Sequence, residues 1–257
     1  MLEKITEAPV TLVFLHGFLG RGEDWQKVIN AMGEDYPCLT IDLIGHGKSR
    51  STIVDQEDGF EQSHLHIKKI LNLFHVKQFV LIGYSLGGRI ALGYARTQQD
   101  TNLKGLVLVS SHIGLKTEQE KKVRYQHDLN WAQQFRTEEI SQVLEKWYQQ
   151  SVFADLSEQE KQRFITLRKE NNGQYLADML LSTSLSKQAH ALSFLKKTSL
   201  PVHYSYGEYD TKFKALATSF SDLKNITIQP FANVGHNIPA KVPVKYAKTI
   251  IEFLKGF

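Results

Sequence analysis

The sequence predicts an α/β fold with a mostly parallel, doubly wound sheet and a helical insertion. The first observation is a series of short apolar, β-branched runs with helix-compatible segments between them. Runs that are apolar on both faces are typical of buried parallel strands, and the segments between them then serve as crossover helices. The predicted strands are Val10–Leu15, Cys38–Leu43, Phe79–Gly83, Leu106–Val109, Val202–Tyr206 and Ile226–Pro230.

The second observation is a long segment, residues 112–197, that contains no convincing strand and is rich in Gln, Glu, Lys and Arg. Apolar residues recur in it at helical spacing, among them Ile140, Val143, Leu144 and Trp147. We interpret residues 112–197 as a helical lid over the carboxyl edge of the sheet, and residues 1–111 and 198–257 as an α/β core. Because the first predicted strand begins at Val10, we expect at most one short strand within residues 1–9.

The composition is that of a globular chain with a modest positive charge. Hydrophobic residues make up 42% and charged residues 23% of the 257 positions, which allows a sizeable core and argues against a disordered chain. The formal net charge is +4, but no basic block with interleaved aromatic residues is present. We therefore expect no nucleic-acid partner, whereas a small anionic ligand suits the charge.

Cysteine and histidine usage argues against a metal centre. The single cysteine, Cys38, excludes an intramolecular disulfide and a cysteine-based metal site, and no pair of histidines has the spacing of a zinc site. We therefore expect neither a metal nor a cofactor. No run approaches the ~18 apolar residues of a membrane span, and the first residues lack the apolar region of a secretory signal. We expect a soluble cytoplasmic protein without a membrane partner, and we expect a monomer.

The pentapeptide Gly83-Tyr84-Ser85-Leu86-Gly87 fits the pattern G-x-S-x-G. It follows a predicted strand and precedes a helix-compatible segment, which is the context of a nucleophile elbow. Such a turn raises the serine hydroxyl above the sheet, at a helix N-terminus whose N–H groups face negative charge. Ser85 is therefore the candidate nucleophile or base.

A serine hydroxyl needs a neighbouring base to accept its proton. The chain supplies Asp210 after the strand-like run that starts at Val202, and His236 in a Gly-flanked loop after the next run. In the fold that carries this kind of turn, the three residues follow one another along the chain in the order Ser, Asp, His, as they do here. We predict a Ser85–His236–Asp210 triad in which Asp210 holds the tautomer of His236.

The first predicted strand ends at His16-Gly17-Phe18. The backbone N–H groups of Phe18 and of Leu86, the residue after Ser85, are the candidates for an oxyanion hole. His46, in the loop after the second strand, is an alternative catalytic histidine, but we interpret that loop as structural because His236 is better placed.

Several motifs resemble the α/β-hydrolase family over nearly the whole chain, namely LVFLHGF, DLIGHGKS, GYSLGG, GEYD and NVGHN. A narrower resemblance is to the 2-succinyl-6-hydroxy-2,4-cyclohexadiene-1-carboxylate synthases, the lyases of menaquinone biosynthesis. It is carried by GYSLGGR at 83–89, WYQQSVFADL at 147–156, LRKENNGQYLADML at 167–180 and GEYDTKF at 207–213. The chain departs from the family pattern at Ser151, Glu170 and Thr211, which lie outside the predicted chemistry.

The narrower resemblance implies a substrate with three carboxylates, on the ring, the succinyl group and the enolpyruvyl group. Arginine pairs well with carboxylates because its planar fork can donate two hydrogen bonds. Arg89, one helical turn after Ser85, and Arg124 and Arg168, at matching positions in the lid, are the implied substrate-binding residues. The ordinary alternative for an arginine in a charged helix is a solvated side chain. Additional implied pocket residues are Tyr84, Trp147 and Phe153, although Trp147 is equally compatible with a place in the core of the lid.

The implied reaction is an elimination. Ser85, activated by His236, would remove the ring proton alpha to the succinyl ketone, and the Phe18 and Leu86 N–H groups would hold the enolate while pyruvate leaves. The main alternative is a serine hydrolase of an ester, lactone or C–C bond in a carboxylate-bearing molecule, because triads of this kind most often hydrolyse something. A non-catalytic ligand receptor on the same fold is disfavoured, because all three triad positions are filled.

Overall fold

The computed structural model describes residues 10–55 and 57–256, and its centre is one six-stranded sheet in the order β2-β1-β3-β4-β5-β6. All five strand pairings are parallel, so the predicted fold class is confirmed. The strands are β1 (Thr11–Leu15), β2 (Cys38–Ile41), β3 (Phe79–Tyr84), β4 (Leu103–Val109), β5 (Val202–Gly207) and β6 (Ile226–Phe231). The expectation for residues 1–9 lies outside the described residues.

Helices cover both faces of the sheet. They are α1 (Gln26–Met32), α2 (Gly59–Leu73), α3 (Leu86–Thr97), α4 (Glu118–Thr137), α5 (Ile140–Trp147), α6 (Glu158–Arg168), α7 (Gly173–Ser182), α8 (Leu192–Lys197), α9 (Thr211–Thr218), α10 (Ile238–Lys241) and α11 (Pro243–Leu254). No helix within the described residues is long and apolar enough to cross a membrane.

The sheet has one apolar core on each face, because successive side chains of a strand point to opposite sides. In β1, Val13 and Leu15 face one core, together with Ile67 of α2 and Ile90 of α3. Leu12 and Phe14 of the same strand face the other core, which contains Val28 of α1 and Ile250 of α11. This two-faced burial explains why β1 and β3, in the middle of the sheet, are almost entirely apolar and do not alternate.

The topology places the site. The chain moves from β1 outward to β2 and then crosses back to β3 on the other side of β1, so the direction of the winding reverses between β1 and β3. In open parallel sheets, ligands bind at the carboxyl ends of the strands where this reversal occurs. Leu15 at the end of β1 is in register with Gly83 in β3. The loops that begin at His16 and Ser85 therefore start side by side.

We call residues 112–197 the helical insertion, which contains α4–α8 and no strand. It has an apolar cluster of its own, with Phe135, Val143, Leu144 and Leu176 among the buried members. The N-termini of α4 and α6 are capped by capping boxes, from Thr117 with Glu120 and from Ser157 with Glu160. The residues that predicted helical spacing, Ile140 to Trp147, form α5 as expected.

Candidate active site

Ser85 stands on a strained turn between β3 and α3. Its backbone has φ 51° and ψ −108°, a conformation that a residue with a side chain rarely adopts. The turn is possible because glycines surround it. A Cβ atom on Gly83 would lie 2.5 Å from backbone atoms of Gly88, and one on Gly87 would overlap the carbonyl groups of Leu15 and His16. Close packing of α3 against β1 and β3 thus raises the serine hydroxyl above the sheet.

The structure brings the three predicted triad residues together. The Nδ1–H group of His236 donates a hydrogen bond to Asp210 Oδ2 at 2.6 Å, and His236 Nε2 lies 3.1 Å from Ser85 Oγ. Asp210 and His236 are both buried. With Nδ1 protonated, Nε2 is free to accept the hydroxyl proton, which is the arrangement that makes a serine basic or nucleophilic.

The histidine loop is fixed by contacts that sequence reasoning missed. Ser110, directly after β4, donates a hydrogen bond from its hydroxyl to the His236 carbonyl oxygen at 2.8 Å. Asp155, in the helical insertion, accepts one from the Gly235 N–H group at 2.9 Å. The Asp210 carboxylate also accepts a bond from the Phe213 N–H group at the start of α9. Neither residue was singled out from the sequence, although Asp155 lies within the WYQQSVFADL segment that carries the family resemblance.

Two backbone N–H groups are available next to Ser85. Between residues 10 and 256, with residue 56 left aside, the N–H groups of Phe18 and Leu86 donate no hydrogen bond. Leu86 is the first residue of α3, where the helix dipole adds positive potential. These are the two groups predicted for the oxyanion hole, and their role is part of the proposal below.

Two buried histidines hold the loop that carries Phe18. His16 Nε2 accepts a hydrogen bond from the Leu43 N–H group, and His46 Nε2 accepts one from the Leu19 N–H group, both at 3.0 Å. Their Nδ1–H groups donate to backbone carbonyls, that of His46 to Ile44. One ring nitrogen of His46 therefore holds the Phe18 loop and the other holds the loop of His46 itself. This agrees with the interpretation of the His46 loop as structural.

A cavity of about 600 Å³ opens above Ser85, between the sheet and the helical insertion. Each residue predicted for the site lines this cavity except Asp210, which contacts the far nitrogen of the His236 ring. The volume is that of a pocket for a small molecule.

The expected aromatic residues are present in the wall of the cavity. Tyr84 and Phe153 pack against the His236 ring, with centroids 5.3 and 6.5 Å from it. Trp147 packs between Phe18 and Trp131, so it belongs both to the cavity wall and to the core of the insertion.

One end of the cavity is basic. Arg89 and Arg124 line it together with Lys212, which follows β5 in the GEYDTKF segment and was not singled out from the sequence. Burial, and then the charge of Arg124, lower the pKa of Arg89 to about 9. Burial, Lys212 and Arg89 lower the pKa of His112 to about 3, so this histidine is neutral. Cations that disfavour one another in this way form a site that an anion would stabilise.

The arginines differ in their partners. Arg124 donates to both oxygens of the buried Asp128 at 2.8 and 3.0 Å. The Nη1 group of Arg89, in contrast, is inaccessible to solvent and has no hydrogen-bond partner among the described residues. Buried N–H groups without a partner are costly, typically ~1–3 kcal/mol each. The Nη1 group of Arg89 is therefore held at a cost to stability.

Arg168 of α6 lines the cavity at a separate point, where it contacts the core. Its Nη2 group donates to Asp24 Oδ2 at 2.5 Å, and its Nη1 group is buried without a partner in the part of the chain that the structure describes. Burial opposes the charge of Arg168, but Asp24 and Tyr148 more than offset it, so the pKa of Arg168 lies above its usual value. The Asp24 contact joins residues 144 positions apart and could not be read from the sequence.

The described residues contain no group of three or more His, Cys, Asp or Glu side chains that could hold a metal ion.

The chain matches the family model of the alpha/beta hydrolase fold over residues 10–240. Among solved structures, it superposes on MenH from S. aureus with a TM-score of 0.88 and 27% identity, covering 98% of this chain and 96% of that one. An esterase from Thermogutta terrifontis superposes with a TM-score of 0.78 at 19% identity, over 96% and 90% of the two chains. The likeness to the esterase shows the shared fold alone. The class of the protein is thus that of the α/β hydrolases.

Two curated relatives are more specific. The 2-succinyl-6-hydroxy-2,4-cyclohexadiene-1-carboxylate synthase of Yersinia enterocolitica is 40% identical over 243 residues, which are 95% of this chain and 86% of the relative. The synthase of the same name from Yersinia pestis, strain Pestoides F, is 39% identical over the same shares. The chain belongs to the family of 2-succinyl-6-hydroxy-2,4-cyclohexadiene-1-carboxylate synthases. Both resemblances inferred from the motifs are therefore confirmed.

The buried histidines of the Phe18 loop generate a prediction for stability. Burial lowers the pKa of His46 to about 3, whereas a histidine in an unfolded chain titrates at about 6.5. The unfolded state therefore takes up protons first as the pH falls. We expect the free energy of unfolding to decrease from about pH 6.5 towards about pH 3, and to be independent of His46 above that window.

Urea denaturation at about pH 7 and about pH 5 measures this effect, since the two values lie above and within the window. His46→Gln should lose less stability between the two pH values than the wild type. The control is His75→Gln at an exposed position, which should keep the wild-type difference. Equal pH dependence of His46→Gln and the wild type would contradict the assignment of His46 as a buried neutral histidine.

Proposed function

We propose that the protein eliminates pyruvate from 2-succinyl-5-enolpyruvyl-6-hydroxy-3-cyclohexene-1-carboxylate to give 2-succinyl-6-hydroxy-2,4-cyclohexadiene-1-carboxylate, a step of menaquinone biosynthesis. The observation that carries the proposal is one cavity that is lined both by a serine in hydrogen-bond distance of a histidine and by Arg89, Arg124 and Arg168. Membership of the synthase family supports the particular substrate.

In this proposal, Ser85 is the base and does not form a bond to carbon. His236 accepts the hydroxyl proton, and Ser85 removes the ring proton alpha to the succinyl ketone. Asp210 keeps Nδ1 of His236 protonated and stabilises the imidazolium that results. The electron pair moves through the ring double bond and breaks the C–O bond to the enolpyruvyl group. His236 then supplies the proton that converts the leaving enolate into pyruvate.

Charge develops on the ketone oxygen as the proton leaves. In our proposal, the N–H groups of Phe18 and Leu86, which donate no hydrogen bond among the described residues, donate to this oxygen, and the N-terminus of α3 adds to their effect. Because these groups are fixed by the elbow and by the histidines behind the Phe18 loop, they need little rearrangement during the reaction. This kind of fixed electrostatic stabilisation is usually a large contribution to catalysis.

A substrate with three carboxylates suits the cavity. Arg89, Arg124 and Lys212 lie together at one end, and Arg168 lies at a separate point of the wall. We propose that the carboxylates bind to these groups and so set the ring above Ser85, since arginine can orient a carboxylate with two hydrogen bonds. We further propose that the enzyme works as a cytoplasmic monomer without metal or cofactor, because this one chain supplies the base and the anion-binding groups.

The alternative is a serine hydrolase of an ester, lactone or C–C bond in a carboxylate-bearing small molecule. The Ser85–His236–Asp210 geometry favours it, because the same arrangement performs acyl transfer on this fold. The two functions differ in what Ser85 does, so that they can be separated by experiment.

The first test compares two activities of the purified protein. We expect pyruvate release from the enolpyruvyl substrate and little turnover of p-nitrophenyl esters. Ser85→Ala and His236→Ala should each remove most of the activity because they act as one unit, and Asp210→Asn should be less severe. Rapid ester hydrolysis without pyruvate release would exclude the lyase and leave the triad in place.

A second test uses isotopes. Deuterium at the abstracted ring position should slow turnover when proton removal limits the rate. No oxygen from heavy-oxygen water should enter either product, because elimination uses no water. A burst of product, or heavy oxygen in a product acid, would indicate an acyl-enzyme and therefore the hydrolase.

The third test concerns the cations. Truncation of Arg89, Arg124 or Arg168 to alanine should lower kcat/KM. The loss of transition-state stabilisation calculated from the ratio of kcat/KM values should be roughly 1.5–3 kcal/mol, the range for hydrogen bonds to charged groups. Arg96→Ala is a matched control, because Arg96 is an exposed arginine of α3 that does not line the cavity. If two of the three truncations leave kcat/KM at the wild-type value, the tricarboxylate substrate is wrong.

A further inference from the structure

A short segment of the helical insertion reaches both the cavity and the histidine loop. Residues 150–156 connect α5 to α6 through a series of tight turns, with backbone hydrogen bonds from Phe153 to Gln150 and from Leu156 to Phe153. Phe153 and Leu156 line the cavity. Asp155 lies between them in the sequence and contacts the loop that carries His236. One turn therefore connects the wall of the cavity to the proposed base.

The contact is a hydrogen bond to the residue before the histidine. Asp155 Oδ2 accepts it from the Gly235 N–H group at 2.9 Å, across a sequence separation of 80 residues. A carboxylate that accepts from a backbone N–H group makes a stronger bond than a neutral oxygen does. The amide plane between Gly235 and the preceding residue is thus held from the side of the insertion.

Glycine at position 235 is explained by this contact. Gly235 does not have a left-handed backbone, so its conformation alone does not require glycine. A Cβ atom there would overlap the Asp155 carboxylate. On the opposite side, a Cβ atom on Gly207 would overlap the carbonyl oxygens of Val234 and Gly235. The loop is therefore enclosed between the end of β5 and Asp155. Neither Gly207 nor Gly235 could carry a side chain without a clash there.

Other anchors of His236 and of the peptide before it come from the core. The Ser110 hydroxyl group holds the His236 carbonyl oxygen, Asp210 holds its ring, and the Tyr209 N–H group donates to the Val234 carbonyl oxygen at 3.1 Å.

We propose that Asp155 is a positioning residue: by accepting the hydrogen bond from the Gly235 N–H group, it fixes the peptide before His236 and so the orientation of the histidine. The inference rests on the proposed function in one respect, which is that His236 is the proton acceptor.

The test uses two variants and a matched control. Asp155→Ala removes the acceptor, and Asp155→Asn keeps an oxygen that can accept from the Gly235 N–H group. Glu170→Gln is the control, because Glu170 is also a carboxylate of the insertion that contacts the core, at 3.7 Å from Arg21, and it does not line the cavity. If Asp155→Ala does not fold, Asp155→Ser, which also shortens the side chain, replaces it.

Two activities are measured. One is the rate at which a fluorophosphonate labels Ser85, which needs an oriented His236 and does not depend on the lyase reaction. The other is kcat and KM for pyruvate release. The Gly235 amide resonance of protein labelled with heavy nitrogen in glycine reports the hydrogen bond directly.

We expect Asp155→Ala to lower both the labelling rate and kcat by about tenfold or more, since small displacements of reacting groups have effects of this size, while KM changes less than about twofold. The Gly235 amide proton should move upfield. Asp155→Asn should stay within about threefold of the wild type, because the hydrogen bond is kept. Glu170→Gln should match the wild type in every measurement.

The inference is overturned if Asp155→Ala labels Ser85 at the wild-type rate, if it changes KM alone, or if Asp155→Asn is as impaired as Asp155→Ala. It is also overturned if Glu170→Gln shows the same loss, since the effect would then belong to the insertion in general. A wild-type protein that labels normally but releases no pyruvate would contradict the proposed function. The labelling comparison would still decide the role of Asp155.

Discussion

The site depends on the strained turn at Ser85. A residue with a side chain held at φ 51° costs of the order of 1–3 kcal/mol and persists only where the surroundings determine it. Here the Ser85 N–H group donates to the Val109 carbonyl oxygen at 2.9 Å, the Ser85 carbonyl oxygen accepts from the backbone N–H group of Arg89, and glycines allow α3 to pack against β1. The same turn therefore fixes the hydroxyl group, the free N–H group of Leu86 and the first helical turn that carries Arg89.

Repulsion among the positive charges of the cavity is a second cost to the stability of the fold. Arg89, Arg124 and Lys212 lie close enough together for the charge of one to disfavour the charged form of another or of the nearby His112. Asp128 offsets part of this cost. It is buried and bonded to Arg124 and to the Ser184 hydroxyl group. Although burial opposes its charge, His127 and Arg124 hold the pKa of Asp128 below its usual range. Arg89 has a buried N–H group without a partner among the described residues, which is a further cost.

The core and the insertion contribute different groups to the site. In our proposal, the core supplies a base and an anion hole, a combination that serves acyl transfer in many relatives of the fold and proton abstraction here. The insertion supplies Arg124, Arg168 and part of the aromatic wall, which select the substrate in the same proposal. The two parts are joined by the contacts of Asp24 with Arg168 and of Asp155 with Gly235.

The sequence by itself determined the fold class, the six strands and the elbow, because each depends on residues that are near one another in the chain. Only strand ends differed. β4 begins at Leu103, three residues before the predicted start, because Leu103 pairs with Phe79 of β3. Asp210 and His236 could be selected because the order of loops along a parallel sheet determines which side chains share its carboxyl edge. The arginines came from the resemblance of the insertion to a known family.

The tertiary structure alone decided which groups support these residues. Asp155 on Gly235, Asp24 on Arg168, Ser110 on the His236 carbonyl and the neighbours of Lys212 follow no local pattern. Each contact joins segments that are distant in the sequence. The Ser110 contact forms within the core, whereas Asp155 and Arg168 reach their partners because the insertion packs at one position over the sheet. Apolar periodicity predicts which face of a helix is buried, but the depth and angle at which two packed elements meet depend on every side chain between them. For that reason the predicted reacting groups were local features of the sequence, while their positioning is a property of the folded molecule.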